Sequence, residues 1–126
     1  MALVKMKKLL EQAETEGFGI GAFSVGNMEM IMGAVQAAEE LQTPIILQIA
    51  EVRLKNSPLE FVGPMMVSAA QKAKVDIAVH LDHGLTMETV KAALNMGFTS
   101  VMLDASTSPF EENISKTQEV DRKSVV

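Results

Sequence analysis

The residues of this chain best equipped for chemistry stand together in Val79-His80-Leu81-Asp82-His83-Gly84. His80 and His83 are the chain's 2 histidines, and a carboxylate lies between them. Side chains alternate between the faces of a strand, so His80 and Asp82 are expected on one face, with His83 where the strand ends. Such a cluster provides a proton-transfer group and up to two neutral imidazole nitrogens for a metal ion. That is half of a metal site. Gly84 would release the backbone into a loop.

Composition narrows the setting. Net charge is −5 with acidic and basic residues interspersed, so no basic stripe offers itself to a phosphate backbone and nucleic acid is not an expected partner. With 0 cysteines there is no disulfide framework and no thiolate zinc ligand, which leaves histidines and carboxylates as metal donors. Glu11 and Glu14 interrupt the apolar start of the chain, so neither a signal peptide nor a spanning helix is expected, no membrane partner is expected, and the cytoplasm is the default location. Hydrophobic residues make up 48% and charged ones 21%, the balance of a chain that can bury a core.

The elements that must position the motif follow from periodicity. Met6, Leu9, Leu10 and Ala13 predict an amphipathic helix ending near Gly17. Residues 17–23 alternate glycine with larger side chains, as a short buried strand does. Asn27 can cap a helix whose stripe is Ile31, Ala34, Val35, Ala38 and Leu41. After Pro44 the run 45–49 reads as a strand covered on both faces. Pro58 is placed to open a helix through Ala73, weakened over its first turns by Gly63-Pro64, with Met65 and Met66 both expected in the core. Residues 75–79 predict a third strand, Thr86 onward a helix stopping near Gly97, 100–103 a fourth strand, and Pro109 the start of a last helix with Glu111 and Glu112 in its first turn. Residues 121–126 show no pattern.

Strands alternating with helices through short loops predict an α/β fold with a parallel sheet, either doubly wound or part of a (β/α) barrel. Ser24 and Asn27, Glu51, Asp82 and His83, and Asp104 all follow strand ends, where both architectures hold ligands; these positions favour the barrel. A TIM-type barrel has eight strands over roughly 250 residues, so four strands make a partial, incomplete barrel.

With these residues assembled, the chain resembles the class II, metal-dependent ketose-bisphosphate aldolases, the fructose- and tagatose-bisphosphate aldolase family. The matching segments are Ala22-Phe23-Ser24-Val25-Gly26-Asn27-Met28-Glu29, His80-Leu81-Asp82-His83-Gly84, Asp104-Ala105-Ser106 and Pro109-Phe110-Glu111-Glu112-Asn113-Ile114. The resemblance covers about residues 3 to 120 and identifies residues 1–126 with the N-terminal half of such a barrel. It implies that Asp82 is the catalytic acid/base, that His83 binds a catalytic zinc, and that Asp104 belongs to a second cation site. It further implies a sugar-bisphosphate substrate cleaved to dihydroxyacetone phosphate and an aldehyde, with zinc as Lewis acid. A homo-oligomer is expected.

Three departures qualify that picture. Ser24 stands where the family usually has asparagine, and Gly26 where another is common; Ala50 replaces a serine that helps hold substrate and cannot donate a hydrogen bond. No substrate-binding residue is therefore assigned. The remaining zinc histidines, a further glutamate and the phosphate loops lie on later strands of the family, so the chain alone is expected to be inactive. The rival expectation is a non-catalytic half-barrel that associates with a second copy or another chain through its open edges. Beside these roles, His80 reads as a packed histidine under the site, Asp104 also as a strand terminator, Asn27 as a helix cap, and Glu51 and the Glu111-Glu112 pair as a solvated loop and a helix start.

Overall fold

The computed structural model describes residues 2–124. Helix α1 (Met6–Glu16) ends on Gly17, whose left-handed φ of 72° closes the helix onto the Ala13 carbonyl; glycine takes that conformation without steric cost. Strand β1 is Gly21–Ser24, shorter than the expected 17–23, because Gly17 and Phe18 both donate back to Ala13 and belong to the helix exit. It is exposed at every position, not buried. Helix α2 (Met28–Leu41) is capped as expected, with Asn27 Oδ1 accepting from the Met30 amide at 2.9 Å.

Strand β2 (Ile45–Ala50) leads through a 3₁₀ turn, Glu51–Arg53, to α3 (Leu59–Lys72). Pro64 sits inside α3 without breaking it, and its ring removes one helical hydrogen bond. Gly63 lets α3 approach closely, since a Cβ there would stand 2.9 Å from Met96 Sδ. Of the two methionines expected in the core, Met66 is fully buried and Met65 is exposed, as neighbours about 100° apart on a helix must differ. Strand β3 (Ile77–Gly84) then takes in the whole histidine motif instead of ending at Val79. Helix α4 (Met87–Asn95), strand β4 (Ser100–Leu103) and helix α5 (Phe110–Ser124) follow. Residues 121–124, unpatterned in sequence, continue α5, while Val125 and Val126 lie outside the described residues.

The sheet is parallel with order β1-β2-β3-β4. Ile45, Leu47, Ile49, Ile77, Val79 and Leu81, on one face, share a core with Ile31 and Ala38 of α2, Val62, Met66 and Ala70 of α3, Val90 and Ala93 of α4, and Val120 of α5. Each fully buried large side chain there contributes roughly 1.5–3 kcal/mol by leaving water. The opposite face, marked by Ile46 and Ala78, is covered by α1 through Leu9. A doubly wound sheet reverses its strand order and places helices on both faces. Sequential order with every crossover helix on one face is instead the winding of a (β/α) barrel, open here along β1 and β4. Among the described residues no helix is long and apolar enough to cross a membrane.

Candidate active site at the strand tips

Register lines up a polar row across the sheet on the face away from the crossover helices: Ser24 pairs with Gln48, Gln48 with His80, and His80 with Ser100. The Gln48 amide donates to Ser24 Oγ at 3.2 Å, and His80 Nδ1 meets Ser100 Oγ at 2.8 Å. His80 is half-buried, and that burial pushes its imidazole below the ordinary value against the pull of Asp82. It is packed under the site. One register step higher, Asp82 stands beside Ala50 and accepts from Gln48 Nε2 at 3.3 Å.

His83 breaks the alternation. Between Leu81 and Gly84 the pairing with β4 slips, with Leu81 opposite Val101 and Gly84 opposite Leu103, so β3 carries one extra residue. A bulge re-aims side chains in this way. His83 has φ 44°, a left-handed conformation unusual for any side chain and costing on the order of 1–3 kcal/mol. Its ring thereby reaches the side that Asp82 occupies: Nε2 lies 3.8 Å from Asp82 Oδ1, and Nδ1 lies 2.7 Å from Asp104 Oδ2. Gly84 permits the bulge, because a Cβ there would stand 2.8 Å from the Met102 carbonyl oxygen.

Asp104 follows β4 and accepts from the Ser106 amide at 3.1 Å and the Ser106 hydroxyl at 2.6 Å through Oδ1. Those bonds, with His83, hold its carboxyl down at about 2. An ionised carboxylate only accepts, so His83 Nδ1 carries the proton it donates to Asp104. The Asp104 bond, then the nearby Asp82 charge, raise the His83 imidazole above its ordinary value.

Sequence reasoning missed two residues and misjudged a third. Gln48 was signalled by being the one polar side chain in the apolar run 45–49; Ser100 carried no such signal. Glu51, expected in a solvated loop, instead clamps the backbone after the motif. Its carboxylate accepts from the Leu85 and Thr86 amides and from the hydroxyls of Thr86 and Thr89, tying the end of β2 to the first turn of α4.

Asp82, His83 and Asp104 are thus brought together at the strand tips, while Asn27 serves its helix and Glu111 and Glu112 open α5. The arrangement can move a proton at a half-buried carboxylate and present one imidazole nitrogen to a cation. It does not make a complete zinc site: among the described residues no three His, Asp or Glu side chains are grouped to hold a metal ion. A cation at Asp104 would compete with the three hydrogen bonds already on its oxygens.

A singly wound β/α array with its ionisable groups raised at the carboxyl ends of the strands defines a protein of the (β/α)-barrel class. More narrowly, the chain belongs to the class-II fructose-bisphosphate aldolase family of aldehyde-lyases, whose family model matches residues 4–124. It is 44% identical over 118 residues to a fructose-bisphosphate aldolase of Thermus caldophilus, covering 94% of this chain and 38% of that protein. A sulfofructosephosphate aldolase of Alkalicoccus urumqiensis is 40% identical over 118 residues, covering 94% and 41%. The crystal structure of the YdjI aldolase of Escherichia coli K12 superposes with a TM-score of 0.88 at 40% identity, over 94% of this chain and 46% of that one. The chain thus spans about two fifths of the length of these sequence relatives.

Proposed function

We propose that residues 1–126 are the N-terminal half of a zinc-dependent ketose-bisphosphate aldolase, with Asp82 as acid/base and His83 as one metal donor. The observation that carries this reading is the strained, bulged His83, whose Nδ1 donates to Asp104 while Nε2 stays beside Asp82. Metal-bound histidines characteristically donate their other ring nitrogen to a carboxylate, which fixes the tautomer and the ring. The other zinc donors are supplied from outside the described residues, so this chain's own part is proton transfer and one ligand. Asp104 orients His83, and any part in a second cation site would require it to give up hydrogen bonds.

In cleavage, Asp82 takes the proton from the hydroxyl whose oxygen becomes the aldehyde carbonyl, as the neighbouring carbon–carbon bond breaks; in condensation it returns that proton. Gln48 holds the receiving carboxylate from below. The substrate of the whole enzyme is a ketose 1,6-bisphosphate, giving dihydroxyacetone phosphate and an aldehyde. The relatives are named for different sugars, so the reaction class has wider support than the sugar. Ala50, beside Asp82, offers no side-chain hydrogen bond to substrate and would loosen discrimination there. A cytoplasmic location is part of this reading, since sugar phosphates are charged metabolites that do not cross membranes unaided.

The test is complementation. The chain alone, with zinc added, is expected to show no turnover of fructose 1,6-bisphosphate; Asp82-dependent cleavage by the isolated chain would show that its own residues suffice. Mixed with a polypeptide carrying the C-terminal portion of the Thermus caldophilus relative, it should gain cleavage that Asp82→Ala abolishes. An assembled mixture without such activity, on this and other ketose phosphates, overturns the aldolase reading.

A further inference from the structure

His83 stands where the sheet stops supporting its strand. The ladder between β2 and β3 ends at the Ala50–Asp82 pair, after which β2 turns away as the 3₁₀ segment Glu51–Arg53. Among the described residues nothing of β3 beyond Asp82 is paired with β2. Toward β4 the strand is bulged, and His83 holds a left-handed φ of 44°. A side chain in that conformation is strained, and it persists only where its surroundings over-determine it. Something must replace the missing stretch of β2.

The peptide that follows the bulge is gripped from both sides. Toward β4, the Gly84 carbonyl accepts from the Asp104 amide at 2.8 Å. Toward β2, the Leu85 amide, the other end of the same Gly84–Leu85 peptide, donates to Glu51 Oε2. That oxygen also accepts from the Thr86 amide at 3.1 Å, while Oε1 accepts from Thr89 Oγ1 at 2.8 Å and Thr86 Oγ1 at 3.1 Å. The Glu51 carboxylate thus extends the β2 ladder by a side chain where the backbone has left it, and is itself anchored on the first turn of α4. Holding a peptide at its oxygen and its nitrogen fixes its plane. His83 lies between that plane and the paired Asp82, so it cannot return to an extended conformation without displacing one of them.

From this double grip we infer that Glu51 is a positioning residue of the reaction, holding the bulge that turns the His83 ring toward Asp82 and Asp104. Its carboxylate is occupied by backbone amides and threonine hydroxyls, so it acts through His83 and not on substrate. The role deepens the reading of Asp82 and His83 as acid/base and metal donor, and its catalytic part rests on that reading. A carboxylate at the start of a helix also steadies the helix, so the decisive measurement is made at His83 itself.

Nitrogen-15 spectra of the neutral His83 ring report which nitrogen carries the proton, and the bond to Asp104 keeps it on Nδ1. The wild-type chain should show that form alone. Glu51→Ala should give a mixture of both forms, and should speed exchange of the Asp104 amide by about tenfold more than that of the Val79 amide lower in β3. Glu51→Gln should keep the wild-type form, because its carbonyl still accepts from the amides and its NH₂ can donate to the threonine oxygens. Glu51→Asp, which keeps the charge but is one methylene short, should behave as alanine does, and decides the matter if the alanine variant does not fold. In an active mixture with the C-terminal portion of the Thermus caldophilus relative, Glu51→Ala should lower kcat by about tenfold or more with KM little changed. A single Nδ1–H form in the folded alanine or aspartate variant, a glutamine variant disturbed as much as alanine, or an unchanged kcat overturns the proposal. A wild-type mixture without aldol cleavage overturns the aldolase reading instead, and leaves the ring spectra to decide this one.

Discussion

At the scale of single residues, the two histidines of one strand are driven in opposite directions. His83 is raised, first by its bond to Asp104 and then by Asp82, while burial lowers His80. On acidification His83 should therefore take up its proton first, which proton NMR of the imidazole resonances reads directly. Asp104→Asn should bring the His83 midpoint down toward about 6.5. The sign of the stability effect differs among the groups. The contribution of His83 is full below its unfolded value and fades as pH rises through its folded one; that of Asp104, lowered to about 2, is present above its unfolded value and fades as pH falls toward about 2. His80, lowered by burial, favours folding above its unfolded value and opposes it as pH falls. Gly84→Ala tests the bulge itself: its methyl would meet the Met102 carbonyl, so urea unfolding should show a loss of about 1–3 kcal/mol.

At the scale of elements, the site depends on one bulged strand and the clamp beside it. Glu51 gathers two amides and two hydroxyls, and so fixes both the exit from β3 and the start of α4. Glu51→Ala should speed amide hydrogen exchange at Leu85 and Thr86 more than in the sheet, with a global cost of about 1–3 kcal/mol from the donors left without a partner. The helical layer is held differently, by apolar burial. Met66→Ala, in the fully buried centre of α3, should cost about 2–5 kcal/mol in thermal or urea unfolding while leaving the imidazole titrations in place. The contrast separates residues that shape the strand tips from residues that hold the array together.

At the scale of the whole molecule, the winding of the sheet has consequences that no single element shows. Helices cover one face and α1 only part of the other, so the face bearing Gln48, His80 and Asp82 is the inner wall of a barrel. Removal of divalent cations with EDTA should leave the melting temperature unchanged, because the described residues of this chain do not group three metal donors. Scanning calorimetry with and without the chelator reads this.

The amino-acid sequence by itself determined the order of elements, their parallel pairing, the capped start of α2 and the position of Asp82, His83 and Asp104 at the strand ends. It could do so because hydrophobic period, capping residues and strand-end position are local properties of the chain. It misjudged what depends on a neighbour distant in sequence. The bulge that turns His83 toward Asp104 is a mismatch between β3 and β4 and is visible in neither strand alone. Glu51 acts across 34 residues on Leu85, and Gln48 on Asp82 across another 34, so their roles exist only once β2 lies beside β3. The alternation of strand and helix allowed a doubly or a singly wound sheet; the polar residues at the strand ends and the family resemblance favoured the barrel, and the fold bears that out. Which face each crossover helix covers was decided only by the tertiary structure, because it is settled by the packing of whole elements and not by the residues of any one of them.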